Sequence, residues 1–185
     1  MIGKYWDKAH TFEVYIDTIQ KKIASEPNEE IKNKYLLSLS RSKNIIDNYI
    51  LSDIQVKEFQ KKGFKGKVLI IAEGWCGDCS QSIPIINIFF HDKNPVKILF
   101  RDENPDLMQN FLTDGNEAIP IVIFISEEND VISHWGPRTK AGTEILLNHK
   151  KEIEKFNKEA FLTDLHNYYN SNRGNDIINE ILAII

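Results

Sequence analysis

The sequence predicts an α/β sandwich whose parallel strands come first and whose last two strands form an antiparallel pair. Short apolar runs alternate with helical patterns through the middle of the chain, which is the order that βαβ units produce. The last two runs are separated only by a short turn, in which Asn129 and Asp130 are favourable residues. The length of 185 residues suits one domain with extensions at its ends.

Helical patterns occupy the first third of the chain. Apolar residues recur at helical spacing over residues 11–23, and a second, less regular pattern covers residues 29–50. A third helix is predicted to begin at Ser52, because Gln55 follows three residues later as in a capping box. Gly63 is a favourable residue to end it.

The remaining residues alternate between predicted strands and helices. The strands are short apolar runs at residues 67–73, 96–101, 119–126 and 131–135. Helices are predicted at residues 76–90, 103–112, 139–156, 160–169 and 176–184. The chain therefore divides into an N-terminal helical extension (1–63), an α/β core (64–150) and a C-terminal helical extension packed on the core (151–185).

Composition and charge exclude several classes of function. The net charge of −4 and the pI near 5.8 argue against nucleic-acid binding, which usually leaves a basic footprint. The longest apolar run, residues 118–125, is too short to cross a bilayer, so no membrane association is expected. The N-terminus has no signal-peptide pattern, and two cysteines in such a chain indicate the reducing cytoplasm.

The only two cysteines, Cys76 and Cys79, lie three positions apart in the stretch "EGWCGDCSQS". A structural disulfide across so small a loop gains little stability in the chain-entropy model. A zinc site needs about four ligands, and the chain has no second C-x-x-C and only scattered histidines. A metal site shared by two subunits through this pair stays open as an alternative.

A redox-active pair accounts for more of the sequence. Cys76 is predicted to lie between a strand and a helix N-terminus, where unpaired N–H groups and the helix dipole favour a thiolate. Cys79, one turn into the helix, then resolves the mixed disulfide that Cys76 forms with a substrate. Trp75 supplies a flat apolar rim for a partner. The dithiol itself carries the electrons, so we expect no metal and no organic cofactor.

The motif "WCGDC" resembles the "WCGPC" motif of thioredoxins. Pro84 lies where thioredoxins have a helix-kinking proline, Pro120 where they have a cis-proline, and Gly136 where a glycine follows the fourth strand. These matches cover about residues 64–150. The strings "EGWCGD", "RDEN", "IP" and "WGPR" are also similar to a bacterial thioredoxin-like subfamily with helical flanks. The resemblance implies a thioredoxin fold, with a mixed central sheet, helices on both faces and helical extensions at both ends.

The resemblance also implies roles for residues around the cysteines. Gly77 and Asp78 lie inside the motif and border the substrate groove with Trp75. Pro120 is expected in the cis form, with the backbone of Ile119 pairing with a bound peptide. Gly136 belongs to the loop that flanks this groove.

Three further residues are candidates for supporting roles. Asp102 falls where thioredoxins have an acid that bonds the motif tryptophan, although an aspartate is also favourable in a turn or helix cap. Thioredoxins carry a buried aspartate in the core strand, where this chain has Ile70. Glu73 partly substitutes for it or is simply an exposed charge at the strand end. Arg138 binds an acidic substrate group or pairs with Glu73 or Asp78.

Asp78 occupies the proline position of the thioredoxin motif. A carboxylate beside the nucleophile opposes the thiolate, so we predict that Asp78 makes the dithiol more reducing, unless a partner such as Arg138 neutralises it.

Taken together, these features predict a cytoplasmic thiol–disulfide oxidoreductase in which Cys76 attacks and Cys79 resolves. Its substrate is expected to be a protein or a small thiol or disulfide. A thioredoxin reductase or a glutathione system is the kind of electron donor that this chemistry implies. The alternatives are a thioredoxin-fold binding or adaptor module without turnover, and a homodimer that binds metal through the C-x-x-C pair.

Overall fold

The computed structural model describes residues 2–151 and 156–185, and its centre is a four-stranded mixed sheet. The strands are β1 (Lys67–Ala72), β2 (Val96–Phe100), β3 (Ile121–Ile125) and β4 (Val131–Trp135), in the spatial order β2–β1–β3–β4. β1 and β2 are parallel, whereas β3 is antiparallel to both β1 and β4. The predicted fold class is therefore confirmed.

Helices precede, connect and follow these strands and cover both faces of the sheet. They are α1 (Gly3–Lys8), α2 (Phe12–Ser25), α3 (Glu29–Asn48), α4 (Asp53–Lys62), α5 (Gly77–Phe90), α6 (Pro105–Met108), α7 (Lys140–Lys150), α8 (Lys158–Asn172) and α9 (Asn175–Leu182). A 3₁₀ turn spans Arg101–Glu103. The short helix α1 was not predicted, because six residues show too little periodicity.

The helix predicted over residues 103–112 is wrong as a single element. Asn104 separates the 3₁₀ turn from α6 with φ −135° and ψ 54°. It precedes Pro105, and a residue before proline is disfavoured in the helical region. The helix predicted over residues 139–156 ends at Lys150, and its residues 152–155 lie outside the described part of the chain.

The core forms on both faces of β1 and β3, whose residues are almost all fully buried. Phe89 and Phe90 of α5 pack between the sheet and α4, with ring centroids 5.7 Å and 5.4 Å from Phe59. Ile70 lies in this core between Ile98 and Val122 on the neighbouring strands. The position that holds an aspartate in thioredoxins is therefore apolar and enclosed here.

The N-terminal helices pack against the α/β core. Ile19 of α2 is 2% exposed and lies against Gly74, where an added Cβ atom would be 2.5 Å from Ile19 Cγ1. Pro84 lacks the N–H group that would bond the Ser80 carbonyl inside α5. The Ser42 hydroxyl of α3 donates a long hydrogen bond to that carbonyl instead, at 3.4 Å. Helix α3 thus compensates for the proline in α5.

The predicted capping box at α4 is only half formed. The Ser52 side chain accepts the backbone N–H of Gln55, and Gly63 ends the helix in the left-handed conformation at φ 66°. The Gln55 side chain instead donates to the Asn175 carbonyl and to Asn179 Oδ1, at 3.0 Å and 2.7 Å. This amide joins the two helical extensions to each other.

Candidate redox site

The two cysteines lie at the start of α5, shortly after β1. Cys76 is the N-cap residue, and its Sγ accepts a hydrogen bond from the backbone N–H of Cys79 at 3.3 Å. Both thiols are free. Cys76 keeps 9% of its surface exposed, whereas Cys79 is fully buried one turn inside the helix. Cys76 is therefore the more accessible of the two cysteines.

The surroundings of Cys79 favour its protonated form. Burial raises the pKa of the Cys79 thiol well above its ordinary value of 9.0, and the hydrogen bond with Cys76 raises it further. Tyr15 of α2 is buried close by and donates to the Glu73 carbonyl at 3.2 Å. Burial, followed by the charge of Cys79, raises the pKa of Tyr15 well above 10.0. Cys79 therefore needs a base before it can act as a nucleophile.

A proline loop faces the cysteines. The Ile119–Pro120 peptide bond is cis, and the Cys76 thiol donates to the Ile119 carbonyl at 3.5 Å. Gly136 has φ 125° and lies directly against the Pro120 carbonyl, where any side chain would overlap the backbone. The Gly136–Pro137 bond is also cis, which the sequence did not indicate. The loops before β3 and after β4 therefore meet beside Cys76.

Asp78 is held from two sides. Arg138 donates to Asp78 Oδ2 from Nη2 at 2.7 Å and from Nε at 3.1 Å, and Tyr169 of α8 donates to Oδ1 at 2.7 Å. The side chains of Arg138 and Asp78 are only 16% and 10% exposed. Asp78, one of the partners predicted for Arg138, is therefore bonded to it in the structure. The guanidinium offsets the carboxylate charge that was predicted to act on Cys76.

Glu73 is not the exposed strand-end charge that one interpretation of the sequence suggested. It is 5% exposed, and its Oε1 accepts the backbone N–H of Asp102 at 2.9 Å. Burial raises the pKa of the Glu73 carboxyl, while the hydrogen bond from Asp102 partly opposes this shift. A buried carboxyl with a raised pKa is suited to proton transfer.

Trp75 is supported by a different residue from the one expected. Within the described residues, no hydrogen bond joins the Asp102 side chain to the Trp75 indole. The Arg101 guanidinium lies over the Trp75 ring at 5.3 Å from the centroid and donates to Asp102 Oδ1 from Nε and Nη2. Asp102 therefore acts on Trp75 only through Arg101, and it lies in the 3₁₀ turn, as the alternative interpretation of this residue anticipated.

Gly77 is the first residue of α5 and lies beneath α3. A Cβ atom added to Gly77 would be 3.4 Å from Arg41 Nη1. The Ser38 hydroxyl of the same helix donates to the Cys76 carbonyl at 3.4 Å. The N-terminal extension therefore covers one side of the motif, while the C-terminal extension contacts Asp78.

A family model described as thioredoxin matches residues 24–157 of this chain. The chain belongs to the thioredoxin family. The matched range begins in α2 and ends after α7, so it includes α3 and α4 as well as the sheet. No curated protein matches the chain.

Two solved structures share this thioredoxin-family fold. A Pseudomonas aeruginosa protein of unknown function is 18% identical, with a TM-score of 0.63 over 96% of this chain and 92% of its own. An HIV epitope scaffold is 17% identical, with a TM-score of 0.64 over 98% of this chain and 95% of its own. At these identities the likeness shows the fold alone.

Several residues near the site in this thioredoxin-family chain carried no signal in the sequence. Tyr15, Arg41 and Tyr169 come from distant helical segments, where their spacing indicates only helix faces. Glu180 of α9 accepts the Trp135 indole N–H and the Lys140 backbone N–H, both at 2.8 Å. It thereby anchors both ends of the loop that carries Gly136 and Arg138. Only the tertiary structure brings these residues to the motif.

No group of three or more His, Cys, Asp or Glu side chains within residues 2–151 and 156–185 is arranged to hold a metal ion. Among the described helices, none has the length and apolar character needed to span a bilayer.

Proposed function

We propose that this thioredoxin-family protein is a thiol–disulfide oxidoreductase, with Cys76 as the nucleophile and Cys79 as the resolving thiol. The observation that carries the proposal is the placement of Cys76. It caps α5 beside the cis-proline loop, with a second, fully buried thiol one turn away. The loop of Ile119 and Pro120 is the surface against which a substrate disulfide lies.

The reaction moves two electrons from the dithiol to the substrate. The Cys76 thiolate attacks a substrate disulfide, forms a mixed disulfide and releases the first substrate thiolate, which takes up a proton. Cys79 then loses its proton and attacks Cys76 Sγ, which breaks the mixed disulfide and releases the second substrate thiol. The protein is left with a Cys76–Cys79 disulfide. We assign the buried carboxyl of Glu73, in its ionised form, as the acceptor of the Cys79 proton, because the Glu73 backbone lies against the Cys79 thiol.

The electrons travel on the sulfur atoms, so this proposal includes no metal and no organic cofactor. The substrate is a protein or a small disulfide, and a thioredoxin reductase or a glutathione system returns the oxidised pair to the dithiol. The reducing cytoplasm suits this cycle, since it keeps such thiols available. Within the chain, residues 64–150 supply the chemistry and both helical extensions shape its surroundings.

Turnover of a disulfide substrate tests the proposal. The protein should catalyse the reduction of insulin disulfides by dithiothreitol, and both Cys76→Ser and Cys79→Ser should abolish that activity. The two variants control for each other, because only Cys79→Ser should accumulate a mixed disulfide, at Cys76, identified by mass spectrometry. A folded wild-type protein without turnover, or a mixed disulfide at Cys79 in Cys76→Ser instead, would contradict the assignment.

A binding or adaptor module is the second candidate, and the small exposure of Cys76 favours it. A cysteine that is only 9% exposed admits only substrates that fit closely over the proline loop. In this case the groove recognises a partner and the thiols do not exchange. Retention of a partner by the Cys76→Ser, Cys79→Ser double variant, with no turnover by the wild type, would select the adaptor.

A further inference from the structure

A concave surface lies beside the redox motif. It is a cleft of about 850 Å³ between α3, α5 and the α8–α9 segment. That volume is within the range of about 300–1,000 Å³ that small-molecule sites occupy. Gln81 and Ile85 of α5 line it and share a helix face with Gly77, because the three residues recur every fourth position.

The cleft has a basic lining in an acidic protein. Arg41, His166 and Arg173 all contribute to its wall, and no aspartate or glutamate does so among the described residues. The chain as a whole carries a net charge of −4, so this concentration of basic residues is local. The other polar wall residues are mainly asparagine and glutamine, whose amides complement an anion and its hydrogen-bonding neighbours.

Arg41 has no counter-charge of its own. Burial lowers the pKa of its guanidinium, and the nearby Asp78 only partly offsets this effect. Asp78 is already bonded to Arg138 and Tyr169, and Arg41 makes no hydrogen bond or salt bridge within the described parts of the chain. A half-buried guanidinium without a partner is unfavourable until an anion reaches it.

His166 and Arg173 are the two other basic residues of the wall. His166 of α8 contacts Gln81 at 3.4 Å from Nδ1 to Nε2, and burial lowers the pKa of its imidazole. A neutral imidazole can still bond a ligand oxygen from an N–H group. Arg173 is exposed at the end of α8 and adopts the left-handed conformation at φ 51°, which usually favours glycine or asparagine.

We propose that this cleft is a binding site for a small molecule that carries a carboxylate or phosphate group. Arg41 is the primary anion ligand, in the inner wall beside Gly77, and Arg173 closes the rim. A ligand held there lies next to the turn that carries Cys76, but it does not depend on the proposed thiol chemistry. Nothing in the geometry requires the ligand to contain sulfur.

Isothermal titration calorimetry on the 185-residue chain at low ionic strength tests the site. The probes are inorganic phosphate, succinate and S-methylglutathione, which carries two carboxylates and cannot exchange thiols. At least one probe should bind with a Kd of about 1 mM or tighter. Binding of phosphate alone identifies a phosphate site, and binding of the other two alone identifies a carboxylate site.

Matched variants locate the binding. Arg41→Gln should raise the Kd about tenfold or more, and Arg173→Gln should raise it by a smaller factor, because bonds to charged groups are the strong ones. Lys43→Gln removes an exposed cation from the same helix outside the cleft and should leave the Kd unchanged. If Arg41→Gln does not fold, the Kd measured for Arg173→Gln decides whether the cleft is the binding site. The proposal is overturned if no probe binds the wild type, or if binding is unchanged in the arginine variants.

Discussion

For Asp78, the structure adds an effect on the stability of the fold to the effect on the dithiol that the sequence predicts. From the sequence, Asp78→Asn was expected to remove a negative charge beside the nucleophile and make the dithiol less reducing. In the structure, Arg138 pairs with Asp78 and Tyr169 donates to its second oxygen. We therefore predict that Asp78→Asn lowers the stability of the fold, and that it also makes the dithiol less reducing because the Arg138 charge is left without its counter-charge.

The size of the stability loss follows from the burial of the pair. Hydrogen bonds to charged groups contribute about 1.5–3 kcal/mol, and removing one partner of a fully buried pair costs about 3–5 kcal/mol. The Asp78 and Arg138 side chains retain 10% and 16% exposure, so the pair is not completely desolvated. An asparagine keeps one oxygen that can accept a bond. We therefore expect a loss of about 2–3 kcal/mol in the free energy of unfolding.

Urea denaturation of a double-mutant cycle measures this value. The four proteins are the wild type, Asp78→Asn, Arg138→Gln and the double variant, and the coupling free energy should be about 1–3 kcal/mol. Asp17→Asn is the matched control, because the Asp17–Lys21 pair lies on a helix surface with side chains 54% and 76% exposed. Such a pair contributes about 0.3–0.5 kcal/mol.

Two results would refute the reasoning. One is a loss for Asp78→Asn no larger than for Asp17→Asn, and the other is simple additivity in the cycle, since either means that the pair is not coupled. A glutathione redox titration separates the electrostatic effect from the structural one. Arg138→Gln leaves the Asp78 charge without its counter-charge and should make the dithiol more reducing, Asp78→Asn should have the opposite effect, and the double variant should change the potential little. A shift in the same direction for both single variants would contradict the electrostatic argument.

Three other predictions concern the environment of the motif. With limiting iodoacetamide, Cys76 should be alkylated before Cys79, because burial raises the pKa of Cys79 and hides its sulfur; peptide mapping that finds Cys79 labelled first would reverse the two roles. Burial also raises the pKa of Glu73, so the folded state binds that proton more tightly than the unfolded chain, and stability should fall as the pH rises from the ordinary value of 4.5 through the raised one. Glu73→Gln should reduce this fall in Tm-against-pH profiles and slow the resolving step, and an unchanged pH profile in this variant would mean that Glu73 does not bind its proton more tightly in the folded state. Gly74→Ala should lower the free energy of unfolding by about 1–3 kcal/mol through overpacking. Gly3→Ala should leave it unchanged, because no atom lies within 4 Å of the added Cβ. Equal urea midpoints for the two variants would mean that α2 is not packed tightly against the motif.

The sequence predicted the sheet because each strand carries a local signal. The apolar runs of β1 to β4 are bounded by turn residues, and Ser52 and Gly63 mark the ends of α4 in the structure as they do in the sequence. The break at Asn104 was missed because a proline is also common in the first turn of a helix, so Pro105 did not rule out a single helix. Only the backbone shows that a separate helix begins at Pro105. Local signals thus place elements well and their interruptions less well.

The candidate site also contains some residues that could be predicted from the sequence and others that could not. The motif and the cis bond before Pro120 could be predicted from the resemblance, since both lie in short, specific strings. Glu73 could not be placed, because a carboxylate after a strand is usually exposed and its burial depends on the helices that cover it. Tyr169 and Arg41 lie in helices far along the chain from the motif, and no pattern in one sequence indicates which face of a helix meets which turn.

These contacts link the identity of residue 78 to the presence of the C-terminal helices. A proline at this position, as in the thioredoxin motif, has no side-chain oxygen to accept from Arg138 or Tyr169. Asp78 has two, and each is occupied by a different element, one from the loop after β4 and one from α8. Glu180 of α9 fixes both ends of that same loop. The C-terminal extension therefore fixes the loop that carries Arg138 and, through it, the charge beside Cys76.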